Sequence, residues 1–428
     1  MLPVVIRLAF AHYDFTDIAM SHSGQFQIAV GTSQWASILH SEDSGSTWTT
    51  SSHQLFGGGG NTFAIPVEAA SVSADGQDQI ICGHFNGVDL VYESRNRGSS
   101  WDLVSFDFTV TCKDLAVDEA FDQKTILSSV GNVHAFVRWD ATNQKYDFNF
   151  ITKPDYEFTR IVMSNDGKYQ LAIMTKKEEP DRRSDVWRSD DYAVSWNSVT
   201  NGLPTDTVFS DAAINEDGII QYLVSDNGKI LVSNDYGASF SVRRNDPSRI
   251  YKSVDVSGDG LALAALYYPT TSSTDAYYHR EYPNPYKDDG SVIMETQQMT
   301  DSTTIATRGK PIKIAIVREL NTLSKHSYQM LISQGEGSSI RRSTTSGNVW
   351  DTQSLPPHPT PTPAPTPPPT PPPTPAPTPG PGSSGGNNNG AIIGGAVGGT
   401  VLIVLCGVSY YIKCGPFAQQ SFANENLL

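Results

Sequence analysis

One eight-residue pattern recurs five times in the first 355 residues, and it constrains the fold more than anything else in the chain. The copies are SEDSGSTW (Ser41–Trp48), SRNRGSSW (Ser94–Trp101), SDDYAVSW (Ser189–Trp196), SNDYGASF (Ser233–Phe240) and STTSGNVW (Ser343–Trp350). Successive starts are 53, 95, 44 and 110 residues apart, which fits a period near 50 with two decayed copies. A second marker, a turn followed by an apolar strand, gives the same count. It occurs at His22, Ala74, Asp118, Asn165, Glu216, Gly258 and, in degenerate form, Asn321. Each unit reads as four short antiparallel strands joined by tight turns. A lone four-stranded sheet cannot bury both faces, so several must close radially. The expected fold is all-β: a seven-bladed β-propeller of four-stranded antiparallel sheets.

The pattern explains itself as turn chemistry. Asp43, Asp191 and Asp235 can accept from backbone amides within a hairpin, and Gly45, Gly98, Gly237 and Gly347 can take positive φ. Ser41, Ser94, Ser189, Ser233 and Ser343 open the copies, and Trp48, Trp101, Trp196, Phe240 and Trp350 close them with an aromatic that packs between sheets. One carboxylate per turn is too few for calcium. No metal or cofactor is expected.

The octets resemble the Asp-box, or BNR repeat, of sialidases, sortilin-type receptors, xyloglucan-cleaving hydrolases and the photosystem II assembly propeller. The resemblance covers 14–355 and implies a propeller; the box itself lies at the blade periphery, away from the ligand face. The third and sixth units, near Trp139 and within Tyr267–Arg308, lack the pattern and are expected to be irregular. A sialidase would need an arginine triad and a tyrosine nucleophile, and Arg182/Arg183, Arg243/Arg244 and Arg341/Arg342 do not sit at the early-strand positions of such a triad. No catalytic residue is assigned.

The sixth unit carries an insertion, YYPTTSSTDAYYHREYPNPYKDDG, where a short hairpin is expected. Tyr277, Tyr278, His279, Arg280, Glu281, Tyr282 and Tyr286 make it a polar-aromatic surface suited to a glycan or protein ligand. His279 has no second histidine at metal-binding spacing. Cys82 and Cys112 are the one cysteine pair outside the apolar C-terminal region, either bridged between adjoining blades or present as two buried thiols.

Composition divides the rest. Sixteen of the 27 prolines fall between Pro356 and Pro381. This Pro/Thr-rich run and the Gly/Ser/Asn run after it (356–390) form a disordered linker, with roughly 80 Å of reach from the proline part alone. Residues 391–412 hold 22 residues without a charge, the length of a transmembrane helix, and 413–428 form a short cytoplasmic tail. Gly394/Gly398 and Gly395/Gly399 have the spacing that lets two such helices pair as a homodimer. Domain 1–355 then faces the outside or a lumen, most naturally at the plasma membrane. Leu2–Phe10 reads as the last blade's outer strand or part of an export signal, with Trp350–Leu355 as the other way to close the ring. With 30 basic and 45 acidic residues the net charge is -15, the wrong sign for nucleic acid.

The function expected from these features is non-catalytic recognition of a glycan or protein ligand by a single-pass membrane protein. The alternatives are a membrane-anchored glycoside hydrolase and an organelle assembly factor.

Overall fold

The computed structural model describes residues 14–356 except 33–37, 52–65, 86–87, 107–109, 131–132, 154, 177–181, 272–276, 284–291, 299–309, 317–328, 335–338 and 345–349. Its strands form seven four-stranded sheets, each made of four strands consecutive in sequence. Blade 1 holds β1 (Phe15–Met20), β2 (Gln27–Gly31), β3 (Ile38–Ser41) and β4 (Thr49–Thr50). Blade 2 holds β5 (Val67–Val72), β6 (Gln79–Phe85), β7 (Val88–Ser94) and β8 (Asp102–Leu103). Blade 3 holds β9 (Cys112–Val117), β10 (Lys124–Val130), β11 (Val133–Asp140) and β12 (Lys145–Thr152). Blade 4 holds β13 (Tyr156–Met163), β14 (Gln170–Lys176), β15 (Ser184–Ser189) and β16 (Asn197–Val199). Blade 5 holds β17 (Phe209–Ile214), β18 (Gln221–Ser225), β19 (Lys229–Ser233) and β20 (Ser241–Asn245). Blade 6 holds β21 (Arg249–Val256), β22 (Leu263–Pro269), β23 (Tyr277–Pro283) and β24 (Val292–Gln298). Blade 7 holds β25 (Lys310–Ile316), β26 (Gln329–Gln334), β27 (Ile340–Ser343) and β28 (Asp351–Thr352).

The first strand of each blade neighbours the first strands of the two adjoining blades, and β25 returns to β1, so the sheets close around an axis. Second strands are sandwiched between blades and therefore apolar on both faces: β2, β14 and β18 are buried along nearly their whole length. The core is a series of wedges between adjoining blades, such as the one joining Leu171, Ile173 and Val186 of blade 4 to Phe209, Leu223 and Leu231 of blade 5. A Cys82–Cys112 disulfide ties β6 to β9 across the blade 2–3 wedge, with Cα atoms 6.2 Å apart.

Turns between first and second strands stitch the blades together. Ser73, Ser164 and Ser257 donate to Asp75, Asp166 and Asp259 at 2.8, 2.6 and 2.6 Å, which frees the following glycines to turn. The His22 amide donates to the Ala74 carbonyl, Ala74 to Glu119, Glu119 to Asn165, Asn165 to Glu216 and Glu216 to Gly258, all at 2.8–3.0 Å. One backbone hydrogen bond thus crosses each boundary from blade 1 to blade 6.

Two expectations are corrected and one open choice, how the ring closes, is decided. Among the described residues the fold is all-β and the expected transmembrane helix is not seen: they contain no helix, and so none long and apolar enough to cross a membrane. Residues 391–412, the linker and the tail lie outside the described residues. Blade 7 ends in β28 as its outer strand; Leu2–Phe10 lies outside the described residues. The third and sixth units, expected to be irregular for want of an octet, are regular four-stranded sheets.

Candidate functional site

Every first strand carries one register break, and in six of the seven blades the residue after it is polar. The breaks lie at Phe15/Asp17, Val67/Ala69, Phe158/Arg160, Phe209/Asp211, Tyr251/Ser253 and Pro311/Lys313, with the matching break in blade 3 placing Asp114 after Cys112. A bulge re-aims side chains and leaves strand amides unpaired. Six of these equivalent positions form a polar ring of Asp17, Asp114, Arg160, Asp211, Ser253 and Lys313, and the seventh, Ala69, packs in the blade 2–3 core. The ring's aspartates are 2–5% exposed.

The acceptors in this ring take up the amides that the bulges leave. Asp17 Oδ2 accepts from Ala70 N in blade 2 at 3.1 Å, and Asp114 Oδ2 from Ile161 N in blade 4 at 2.8 Å. Asp211 Oδ2 accepts from Val254 N and the Ser253 hydroxyl in blade 6 at 3.0 and 2.7 Å. The Ser253 hydroxyl accepts from Ile314 N in blade 7 at 3.2 Å, and Asp255 Oδ2 from Ile316 N at 2.7 Å. The cations fill the remaining space. Arg160 Nε lies 2.7 Å from Asp211 Oδ1 in ionic contact but off the line of a hydrogen bond, and its NH1 lies 3.4 Å from Asp114 Oδ2. Lys313 Nζ lies 3.2 Å from Asp211 Oδ2.

Two of these carboxylates are driven apart in acidity. Burial pushes Asp114 up to about 6, with Asp17 adding to the rise and Arg160 and Lys313 opposing it. Burial also raises Asp211, but Arg160, Lys313, Ser253 and Val254 N together bring it below its ordinary value. Above the ring a cavity of about 160 Å³ runs to a rim that includes His22, Glu119 and Asn165. There His22 Nδ1 lies 3.5 Å from Glu119 Oε1, and Asn165 Nδ2 donates to Glu119 Oε2 at 3.2 Å.

Of the insertion proposed from sequence as a binding surface, the described part is mainly strand, and 272–276 and 284–290 lie outside the described residues. Tyr277–Pro283 form β23, paired with β22 and β24. His279, Arg280 and Glu281 are buried. Glu281 accepts from Arg243 Nε of blade 5 at 2.5 Å and faces His279 Nε2 at 3.1 Å, so this part of the stripe bonds blade to blade. Tyr277 stacks on Tyr267 with centroids 5.4 Å apart. Tyr278 and Tyr282 lie on β23, and Tyr286 lies outside the described residues.

The octets close the hairpins between third and fourth strands. Ser41, Ser189 and Ser233 donate to Asp43, Asp191 and Asp235 at 2.7–2.9 Å. Their hydroxyls accept from the amides of Gly45, Ala193 and Gly237 at 2.8–2.9 Å. Asn96 takes the aspartate's place beside Ser94 at 3.0 Å, with Gly98 N on the Ser94 hydroxyl. Trp48, Trp101 and Phe240 are buried, Trp196 stacks on Phe136 at 3.7 Å, and Trp350 packs on the blade 6–7 wedge. Ser343 is buried, and Gly347 lies outside the described residues.

The axial ring is what the sequence reading did not find. Its signal is a charged residue at the third place of five short segments whose last three residues are apolar: FTDIAM, CKDLAV, FTRIVM, FSDAAI and PIKIAI.

No family model matches the chain, and no curated protein matches it. Among solved structures it is similar to the GH74 xyloglucanase from Xanthomonas campestris, with 14% identity and a TM-score of 0.53, over 79% of this chain and 53% of that one. This chain thus spans about half the length of that enzyme. It is also similar to the Cps50 (Swd1) β-propeller domain of Myceliophteria thermophila, with 13% identity and a TM-score of 0.51, over 78% of this chain and 98% of that one. These likenesses show a β-propeller fold.

Proposed function

We propose that this protein is a recognition propeller that binds a glycan or protein ligand without cleaving it. The observation that carries the reading is the filling of the axis. Asp17, Asp114 and Asp211 each hold an amide of the next blade, Arg160 and Lys313 occupy the space between Asp114 and Asp211, and the cavity above is about 160 Å³. A site that encloses a ligand is commonly about 300–1,000 Å³. The polar axis is therefore read as a clamp between blades, and the ligand as one met on the propeller surface. The octet geometry supports the Asp-box reading of the repeat, and the Cys82–Cys112 disulfide supports an oxidising compartment, outside the cell or in a lumen. The apolar residues 391–412 would tether the propeller at a membrane.

A second reading has one observation in its favour. Asp114 is held near 6 while Asp211 is held low, the division of acidity that a glycoside hydrolase uses for its acid and its base. Full-length protein on a broad glycan array, read for retention and for released sugar on the same spots, separates the two. Retention without release is expected; released sugar would replace recognition with hydrolysis.

A further inference from the structure

Between blades 5 and 6 lies a second polar cluster, on donors that the axial clamp does not use. β20 carries a register break between its Ile230 and Leu231 partners, at Arg243. Blade 5 thereby offers Arg243 and Arg244 in succession, and Glu281 of blade 6 takes Arg243. Facing blade 5, Tyr251, Tyr267 and Tyr277 stand in register across β21, β22 and β23. Arg249, at the start of β21, lies over the Tyr267 ring at 4.3 Å and pairs through Nε with Asp246 at 2.7 Å.

Three buried polar atoms in this cluster have no hydrogen bond of normal geometry among the described residues: Arg244 Nε, Arg249 Nη1 and the Tyr251 hydroxyl. Tyr251 is fully buried. Its ring centre lies 5.5 Å from that of Tyr267, the ring that Arg249 covers; burial raises its phenol, and the charge and side-chain hydrogen bond of Arg249 and the charge of Arg244 pull it back. Arg244 makes no ion pair with a described residue. Among the described residues Arg243, Arg244 and Arg249 against Glu281 and Asp246 leave one positive charge, in a chain whose net charge is -15. Buried polar atoms without good partners are costly and rare; here the two guanidinium nitrogens can only donate, and the phenol can donate as well as accept.

We propose that Arg244, Arg249 and Tyr251 form a binding site for an oxyanion group, a carboxylate or a sulfate carried by an acidic glycan. The oxyanion supplies the acceptors that the three donors lack and neutralises the surplus charge. Two guanidiniums and a phenol suit a delocalised anion better than a metal or a neutral hydroxyl. This inference rests on the recognition reading and names the chemistry that its ligand carries.

The test titrates full-length protein with sulfate and with acetate at constant ionic strength, following thermal unfolding and tyrosine fluorescence. It then offers sulfated, uronate-bearing and neutral oligosaccharides. Saturable oxyanion binding is expected, weakened about tenfold in Arg244→Gln and in Tyr251→Phe, which removes one buried oxygen and little else. Acidic oligosaccharides are expected to be retained in preference to neutral ones, and the sulfated and uronate arms tell the two oxyanions apart. Absence of saturable binding, or binding unchanged in both variants, overturns the proposal. Neutral glycans retained equally by Arg244→Gln would overturn this site and leave recognition standing. Oxyanion binding with no glycan retained would keep the donor set as an oxyanion site but overturn its assignment to a glycan.

Discussion

Blades 4 and 5 carry the octet and blade 3 does not, and the three solve one problem in two ways. The problem is holding the outermost strand, which has a neighbour on one side only. In blades 4 and 5 that strand is short, β16 with three residues and β20 with five, and the octet fixes the hairpin before it with hydrogen bonds through Ser189 and Asp191 or Ser233 and Asp235. In blade 3, β12 runs for eight residues in unbroken register with β11, and the turn at Asp140–Asn143 needs no buried serine. The difference extends to the second strand. Gln170 and Gln221 sit opposite the octet serines and donate to Gly167 and Gly218 of the preceding turn. Blade 3 has Lys124 instead, its ammonium 2.8 Å from Glu93 of blade 2 and 4.5 Å from the Phe121 ring centre. The octet is thus a local substitute for strand pairing. It says how a blade is closed and nothing about what the propeller binds.

The axial clamp is shared by both kinds of blade, so breaking it is expected to have the largest effect. Asp211→Ala leaves Arg160 and Lys313 buried without their common partner, and chemical denaturation should show a loss of about 3–5 kcal/mol. A loss under 1 kcal/mol would mean that the ring does not hold the blades. Next comes blade 3's own device. Lys124→Met removes the buried partner of Glu93, which keeps Arg95 and the Tyr146 hydroxyl, and should cost about 2 kcal/mol in the same measurement. An unchanged midpoint would show that strand pairing alone carries blade 3. The octet comes third. Ser233→Ala orphans the buried Gly237 amide and should cost about 1–2 kcal/mol, with faster hydrogen exchange confined to the β19–β20 hairpin. The smallest effect is a gain. Ala193 sits at φ +60° where the four other octets have glycine, and Ala193→Gly should add about 0.5–1 kcal/mol.

What the sequence made legible follows from the same contrast. Octet residues act on atoms within four positions of themselves, so Ser233, Asp235 and Gly237 announce their turn without any knowledge of the fold. The axial ring is built from one residue in each of six blades, and Asp114 meets Arg160 and Ile161 only after a whole blade has intervened. No local pattern could announce that. β23 was misread for a different reason: a strand of Tyr, His, Arg and Glu looks like a surface loop until Arg243 on the next blade is seen to hold Glu281. Its buried polar stripe comes from pairing between blades, which periodicity does not record. The missing octet in the third and sixth units was likewise taken as irregularity, when β12 and β24 are long strands in regular register.

The most direct test of the central claim, that the axial carboxylates are a clamp and not an acid and base, is to follow Asp114→Asn beside the wild type for stability against pH and for sugar release. A carboxyl whose pKa rises on folding, here from about 4 to about 6, costs the native state stability as it ionises. Wild-type stability should therefore fall relative to Asp114→Asn as pH climbs through that window and run parallel to it above, with no sugar released by either protein. Sugar released by the wild type and abolished in an equally stable Asp114→Asn would contradict the account and make Asp114 a catalytic acid.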